Sequence, residues 1–417
     1  MNGNDRAITG FTMVSHGLVH TYELAVPILV TVWLVEFPVT SATLGTVVAV
    51  GYGLFGVGAV PAGLLVDRFG SRVLVVGCTL GMGLSFLLLS LLPGVAGIAL
   101  ALALWGVAAS VYHPAGLTLI SKGVEERGAA FAYHGMAGNA GIVAGPFLTA
   151  LLLVVADWRV AVAVLSVPAF VATVAGLRAE FDETAAVGPD AAADGGDAVE
   201  TNVGSAAEFL AASRTVFTVG FLTVFALVMF NGLYYRGMLT FFPGLLSDFL
   251  EPLVGAAAAG PFSEGAFAAE FDLSRYLYAG LLAVGIGGQY VGGRLTDAVD
   301  PERALAVALS CLVVVTLLFV PVSASLPALL AVSGALGFVL FGMQPITQAT
   351  IAKYSPPAHR GLSFGYTYLA IFGFGALGAS VAGWVLTYGS SRLLFVVLAG
   401  FAATALALAL SLVVRGE

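Results

Sequence analysis

The chain has 417 residues, 59% of them hydrophobic and only 10% charged, and carries a net charge of −8. Its mean hydropathy is +1.01, while an average soluble domain holds about 25% charged residues. This composition excludes a soluble globular protein, and lipid is the solvent it fits. Lys122 and Lys353 are the only lysines, and so acidic a surface fits a high-salt cytoplasm where screening tolerates self-repulsion. Cys78 and Cys311 lie inside apolar runs and read as small core residues.

A helix that crosses the hydrocarbon core needs about 20 apolar residues. Twelve runs qualify: 8–36, 42–66, 73–92, 95–121, 129–154, 160–177, 215–243, 276–296, 304–321, 327–352, 361–386 and 393–414. The first is too long and too polar for a cleavable signal. It carries His16, His20 and Glu23 at i, i+4 and i+7, which puts all three on one helix face. Ionisable groups inside a membrane are costly, and function is their default reading. Histidine titrates near neutral pH, so Glu23 is the candidate for proton coupling, with His16 and His20 as partners. Interhelical hydrogen bonding without a role in turnover is the alternative.

The fourth and fifth segments contribute His113 and His134 at similar depth toward the inner side, suited to an inner gate or to packing. Residues 178–213 hold Glu180, Asp182, Glu183 and further acids among Ala and Gly, and read as a flexible cytoplasmic linker. They divide an N-terminal six-helix bundle, 1–177, from a C-terminal one, 214–417. The seventh segment offers Asn231, Tyr234 and Tyr235 beside Arg236, an arginine that either snorkels to the interface or binds an anionic group. Residues 244–275 form an acidic outer insertion, a cap over the mouth or an inert addition. Tyr112, Asn139, Gln289, Gln344, Gln348 and Tyr366 complete the polar set expected around a substrate cavity.

Arginine and lysine set the orientation. With the N-terminus inside, the inner loops and ends hold Arg6, Arg68, Arg72, Lys122, Arg127, Arg178, Arg214, Arg294, Arg303, Lys353, Arg360 and Arg415, against Arg159, Arg275 and Arg392 outside. Both termini are therefore expected in the cytoplasm of a cell-membrane protein. Trp33, Trp158 and Trp384 fall near the outer interface, as an aromatic belt would.

The halves repeat. Gly106, Pro114, Lys122, Arg127, Gly128, Phe131 and Tyr133 recur as Gly337, Pro345, Lys353, Arg360, Gly361, Phe364 and Tyr366, offset by 231 and then by 233. Six helices per half give two repeats of the same polarity, a known transporter plan.

The second segment ends in Gly63-Leu-Leu-Val-Asp67-Arg68-Phe-Gly70-Ser-Arg72, and a degenerate copy runs from Gly293 through Asp297 to Arg303. This motif resembles the loop signature of the major facilitator superfamily, and the resemblance covers essentially the whole chain. It implies an all-α membrane fold of twelve helices in two parallel six-helix repeats. It also implies a latch between halves that favours the outward-open state. Physically, Gly63 would let helices approach, Asp67 would face a helix N-terminus, and Arg68 and Arg72 would pair with it and with Glu125 and Glu126. Setting topology is the simpler role for the same charges. In the fifth segment, Gly138-Asn139-Ala-Gly141-Ile-Val-Ala-Gly145-Pro146 resembles the antiporter element of exporting members, though ordinary small-residue packing explains it too. Ser15-His16 and Tyr112-His113-Pro114, with these glycines, resemble the fosmidomycin-resistance branch, which exports drugs.

The chain reads as a carrier rather than an enzyme, with no cofactor and no metal. It lacks a phosphate-binding Gly-Lys-Ser/Thr loop, zinc-like Cys/His spacing, and a basic aromatic patch for nucleic acid. The expected partners are the bilayer, a small-molecule substrate and a coupling ion, the proton, and a monomer suffices. Proton-coupled export of a small organic compound by alternating access is the leading reading. Ion-coupled uptake of an organic anion, and a non-transporting sensor of the same fold, are the alternatives.

Overall fold

A computed structural model describes residues 1–187, 206–254, 272–356 and 360–415, of which 64, 67, 206–209, 360 and 361 are described by their backbone alone. The middle of the linker expected at 178–213, most of the insertion expected at 244–275, and the Asp67 side chain lie outside that description. The described residues form helices α1 (Gly3–Glu36), α2 (Ser41–Phe69), α3 (Ser71–Leu91), α4 (Gly94–Ser110), α5 (Tyr112–Gly123), α6 (Arg127–Val155) and α7 (Trp158–Arg178) in the first half. In the second they form α8 (Ala206–Val216), α9 (Val219–Val254), α10 (Leu273–Thr296), α11 (Pro301–Val322), α12 (Leu326–Tyr354), α13 (Arg360–Tyr368), a π-helical turn (Leu369–Phe374), α14 (Leu377–Tyr388) and α15 (Ser391–Arg415).

Eleven helical runs are long and apolar enough to cross a membrane, counting α4 with α5 as one run and joining α13 to α14 through the π turn. The twelfth rod is α10. Its 24 residues reach about 36 Å at 1.5 Å each, but Gln289, Arg294 and its glycines dilute its hydropathy. It lies along α12, with Gly288 and Gly292 against the carbonyls of Phe338 and Gly342. Apolar side chains such as Leu151, Val171 and Leu317 are exposed on the outside of the bundle, where lipid covers them. Trp33 and Trp158 correct the belt expected from sequence. Both are buried and pack edge to face, with the Trp158 indole N–H donating to Glu36, and only Trp384 is exposed.

Each half is built from the same helix pairs: α1 with α6, α2 with α4, and α3 with α7, matched by α9 with α14, α10 with α12, and α11 with α15. Glycines make the close pairs close. A Cβ at Gly141 or Gly145 would strike the carbonyls of Gly17 or Thr21 on α1, and one at Gly378 would strike the carbonyl of Leu233 on α9. Pro114, which has no N–H for the Ser110 carbonyl, divides the fourth span into α4 and α5 at Val111. Helix α9 outruns the sequence expectation, continuing from 243 to Val254 because Leu245, Leu246 and Leu250 remain on a buried face.

The halves meet reciprocally, α2 against α14 and α6 against α10, with α1 and α9 crossing at the centre. Among the described residues, the hydrogen bonds and ring contacts that join the halves lie between mid-depth and the face opposite the chain ends. Ala42 N–H donates to Thr387 Oγ1 at 2.9 Å, Thr46 bonds Ser380 at 3.0 Å, and Phe147 meets the edge of Tyr276. Gly45 and Gly383 sit where any Cβ would hit backbone of the opposite half. Toward the chain ends Tyr133, Met136 and Tyr290 are exposed. The molecule is thus sealed on one face and open on the face that carries both termini.

Candidate functional site

The opening leads into a cavity of about 420 Å³ between the halves. Helix α1 supplies His16, His20 and Glu23, and α5 and α6 supply His113 and Asn139. From the other half come Asn231 and Tyr235 of α9, Gln289 of α10, and Gln344, Thr347 and Gln348 of α12. Tyr368 of α13 and Phe372 of the π turn close the wall.

At its closed end a polar chain runs along α1. Glu23 pairs with Arg236 across the halves, and its other carboxylate oxygen is 2.6 Å from His20 Nδ1. His20 Nε2 lies 3.1 Å from His16 Nε2, and His16 Nδ1 lies 2.7 Å from the His134 carbonyl. Gly138 makes room for the His16 ring, since a Cβ there would overlap it. Arg236 is enclosed by aromatic faces, its guanidinium carbon 3.9 Å from the Tyr52 ring centre and 5.5 Å from those of Tyr235 and Phe372. Such stacking suits a planar cation. The Tyr52 hydroxyl donates to the Glu23 backbone carbonyl at 2.8 Å.

A second polar chain crosses the halves. The Asn139 side-chain amide donates to Gln289, and Gln289 Nε2 donates to Gln344 Oε1 at 2.7 Å. His113 stacks on Tyr368 of the other half, centroids 5.5 Å apart and planes at 14°. His16, His20 and His113 bring ring nitrogens within 4.8 Å of one another, and the His16–His20 hydrogen bond already occupies two of the three.

Several sequence expectations are corrected by these positions. Tyr112, Tyr234, Arg236 and Tyr366 do not line the cavity. The Tyr112 hydroxyl donates to the Thr12 carbonyl at 2.5 Å and its ring stacks near His16 and His134. Tyr234, one residue and about 100° of helix from Tyr235, bonds Thr316 at 2.6 Å on the far side of α9. Arg236 neither snorkels nor offers itself to an anion, because Glu23 holds it. Tyr366 donates to Ser213 at 2.7 Å near the linker. His134 is buried behind His16, their rings 3.8 Å apart, so of the two gate candidates only His113 reaches the cavity.

The latch also differs. Arg72 does not meet Glu125 or Glu126. Its guanidinium donates to the carbonyls of Gly176 at 3.1 Å and Leu177 at 2.8 Å. Glu183 accepts from the amides of Ser71 at 2.9 Å and Arg72 at 3.2 Å, a carboxylate at the start of α3 where the helix dipole favours it. Arg68 is exposed, and Arg303 faces Asp300 at 3.6 Å rather than Asp297. A Cβ at Gly63 would meet open space, so no close helix approach depends on that glycine here. Gly70 has φ +80° at the end of α2, a conformation that favours glycine. Gly141, Gly145 and Pro146 lie on the α1–α6 contact or are buried within it.

Sequence reasoning missed Thr347, Tyr368 and Phe372. Tyr368 precedes a π turn and Phe372 lies within it, and the turn's wider winding shifts the register that helical spacing assumes. Gly373 and Gly375 were the available signal: a Cβ at Gly375 would collide with the Ile371 carbonyl and with Gly232 on α9.

Two six-helix units with a central polar cavity open to one face define a polytopic carrier. The chain belongs to the Major Facilitator Superfamily, whose family model matches residues 10–269 and 254–417. It is a multi-pass membrane transporter, and secondary transport by alternating access follows from that membership. No curated protein matches the chain. Among solved structures it is similar to a mutant of the nucleoside transporter NupG, with TM-score 0.74 and 12% identity over 97% of this chain and 99% of that one. It is also similar to a bacterial homolog of the human lysosomal transporter Spinster in inward-facing occupied and unoccupied forms. Each of these has TM-score 0.68 and 14% identity over 99% of this chain and 96% of the other. At these identities the likeness is one of fold.

Proposed function

We propose that this transporter couples export of a small organic compound to a proton held by Glu23, His20 and His16, and that it acts as a monomer in the cell membrane with both termini cytoplasmic. The observation that carries the coupling is a proton count. The chain Glu23–His20–His16–His134 carbonyl contains three hydrogen-bond contacts, and each needs one hydrogen. A carbonyl only accepts, so His16 Nδ1 donates to it. Two neutral imidazoles bring two hydrogens and an ionised carboxylate brings none. One further proton therefore completes the chain. It sits between the two Nε2 atoms while Glu23 is ionised, or, when the hydrogens of the two contacts nearer Glu23 cross within their bonds, on Glu23 itself.

The two placements differ in what they leave for Arg236. An ionised Glu23 binds the guanidinium and ties α1 to α9. A protonated Glu23 releases it. Separating a buried ion pair without compensation costs about 3–5 kcal/mol, so the proton lowers the barrier to opening the sealed face. Uptake of an organic anion loses one expected binder, since Arg236 sits behind the cavity wall and is paired with Glu23 while that carboxylate is ionised. Export is the direction supported by the Gly141–Pro146 resemblance.

Proteoliposomes test the coupling. With a solute first found by thermal stabilisation, wild type should move it against its gradient when a pH gradient is imposed, outward from the cytoplasmic side. Glu23→Gln should keep solute-for-solute exchange and lose the pH drive. Proton-driven accumulation by Glu23→Gln would overturn the assignment, and accumulation driven only by the opposite gradient would reverse the direction.

A further inference from the structure

The lining of the cavity narrows its cargo. Among the described lining residues Glu23 is the only one with a carboxylate, ammonium or guanidinium group, and it is paired with Arg236. The proton shared by His16 and His20 is committed to their mutual hydrogen bond beside Glu23, so no charged group of the lining is free to receive a carboxylate, a phosphate or an ammonium, and an ion brought into such a site without a partner pays heavily in lost solvation. The same lining holds three buried polar atoms that have no hydrogen-bond partner: Asn231 Oδ1, His113 Nε2 and Thr347 Oγ1. Buried polar groups are nearly always satisfied, and unsatisfied ones on residues that line a cavity are the groups a ligand bonds when the lining yields to it. Asn231 Oδ1 accepts only, whereas a threonine hydroxyl and an imidazole nitrogen can each give or take, so the ligand must carry at least one donor. One wall is a set of near-parallel rings. His113 lies at 14° to Tyr368 and at 6° to Phe372, and Tyr368 lies at 17° to Phe372.

We propose that the cavity binds an uncharged, planar heteroaromatic with adjacent hydrogen-bond donor and acceptor, of the lactam or amide type, stacked against the His113–Tyr368–Phe372 wall and bonded to Asn231 and Thr347. This rests on the reading of the cavity as the transport site and names the chemical class of its cargo. The wall and the polar edge belong to different helices of both halves, so the ligand bridges the parts that must move. A planar edge with a donor satisfies Asn231, and its acceptor satisfies Thr347. An apolar ring of the same shape would fill the volume and leave these atoms unpaired, which a site built for hydrogen bonding penalises.

Thermal unfolding of the detergent-solubilised protein at one pH tests this, because a ligand that binds the folded state raises its melting temperature. The probes are three neutral bicyclic lactams (2-quinolone, 1-isoquinolone and 4-quinazolinone), with quinoline-2-carboxylate, the tetrahydroisoquinolinium ion and naphthalene as charged and apolar counterparts. At least one lactam should stabilise the protein in a concentration-dependent way, and more than any counterpart at equal concentration. Thr347→Val and Asn231→Leu should each weaken that lactam about tenfold, the loss expected for one buried hydrogen bond, while Thr347→Ser retains it and naphthalene binding is unchanged. Stabilisation by none of the lactams overturns the proposal. So does equal or greater stabilisation by a charged probe, or lactam binding indifferent to both substitutions. The measurement uses no gradient, so a failure of proton coupling in vesicles leaves it standing, and its own failure leaves the coupling test intact.

Discussion

Glu23 and Arg236 show how a buried charge is made tolerable. The pair is desolvated, enclosed by Tyr52, Tyr235 and Phe372, and further bonded to His20. Removing one member strands the other, so Arg236→Gln should destabilise the protein by about 3–5 kcal/mol. Glu23→Gln in the same background should recover most of that loss. Chemical or thermal unfolding of the single and double variants checks this, and a double variant as unstable as Arg236→Gln would show that the pair does not carry the energy. Tyr112 makes a contrasting case. Its hydroxyl serves the Thr12 carbonyl and His134 rather than a solute, so Tyr112→Phe should cost about 1 kcal/mol of stability and leave solute binding unchanged, as titration of a bound lactam would show. The α1 stripe was legible because three ionisable residues at helical spacing have one natural face. The partner of Glu23 was not. Arg236 stands 213 positions away, and nothing local to either residue announces the other. Tyr234 and Tyr235 show the same limit, since adjacent helical residues point apart and sequence offers both.

At the scale of elements, glycine positions separate contacts from gaps. Gly141 on α6 touches the backbone of α1, while Gly63 on α2 faces open space. Gly141→Val should therefore lower stability by about 1–3 kcal/mol or more through overpacking, seen as a reduced melting temperature in size-exclusion fluorescence. Gly63→Ala should be neutral or raise stability by about 0.5–1 kcal/mol, because alanine is the better helix former. A destabilised Gly63→Ala with a tolerant Gly141→Val would reverse the packing described. The helices themselves were legible as apolar runs, and boundaries failed where physics beyond hydropathy acted. Pro114 split one span into α4 and α5. The face carrying Leu245, Leu246 and Leu250 prolonged α9. Gln289 and Arg294 made α10 the least apolar of the rods. The π turn at Leu369–Phe374 escaped altogether, because its cause is the backbone contact of Gly373 and Gly375 with α2 and α9, which is tertiary. Glu183 likewise belongs to a stretch whose composition reads as flexible linker, yet its carboxylate accepts from two backbone amides at the start of α3.

For the whole molecule, the seal is a set of close backbone contacts on one face, with the Glu23–Arg236 pair beneath it. Gly45 and Gly383 are tight points on that face, where α2 meets α14. Gly383→Val should wedge the sealed face apart and shift the population toward the opposite opening. Spin labels at Thr43→Cys and Ser390→Cys, in a Cys311→Ala background, should then report a longer distance by double electron–electron resonance. The same label pair gives the most direct test of the central claim, that one proton shared by Glu23, His20 and His16 governs the halves. In the wild-type protein the fraction of long distances should change between alkaline and acid pH, rising as the proton reaches Glu23 and frees Arg236, and Glu23→Gln should abolish that dependence. A wild-type distribution indifferent to pH, or a Glu23→Gln protein that responds to pH as the wild type does, would contradict the account.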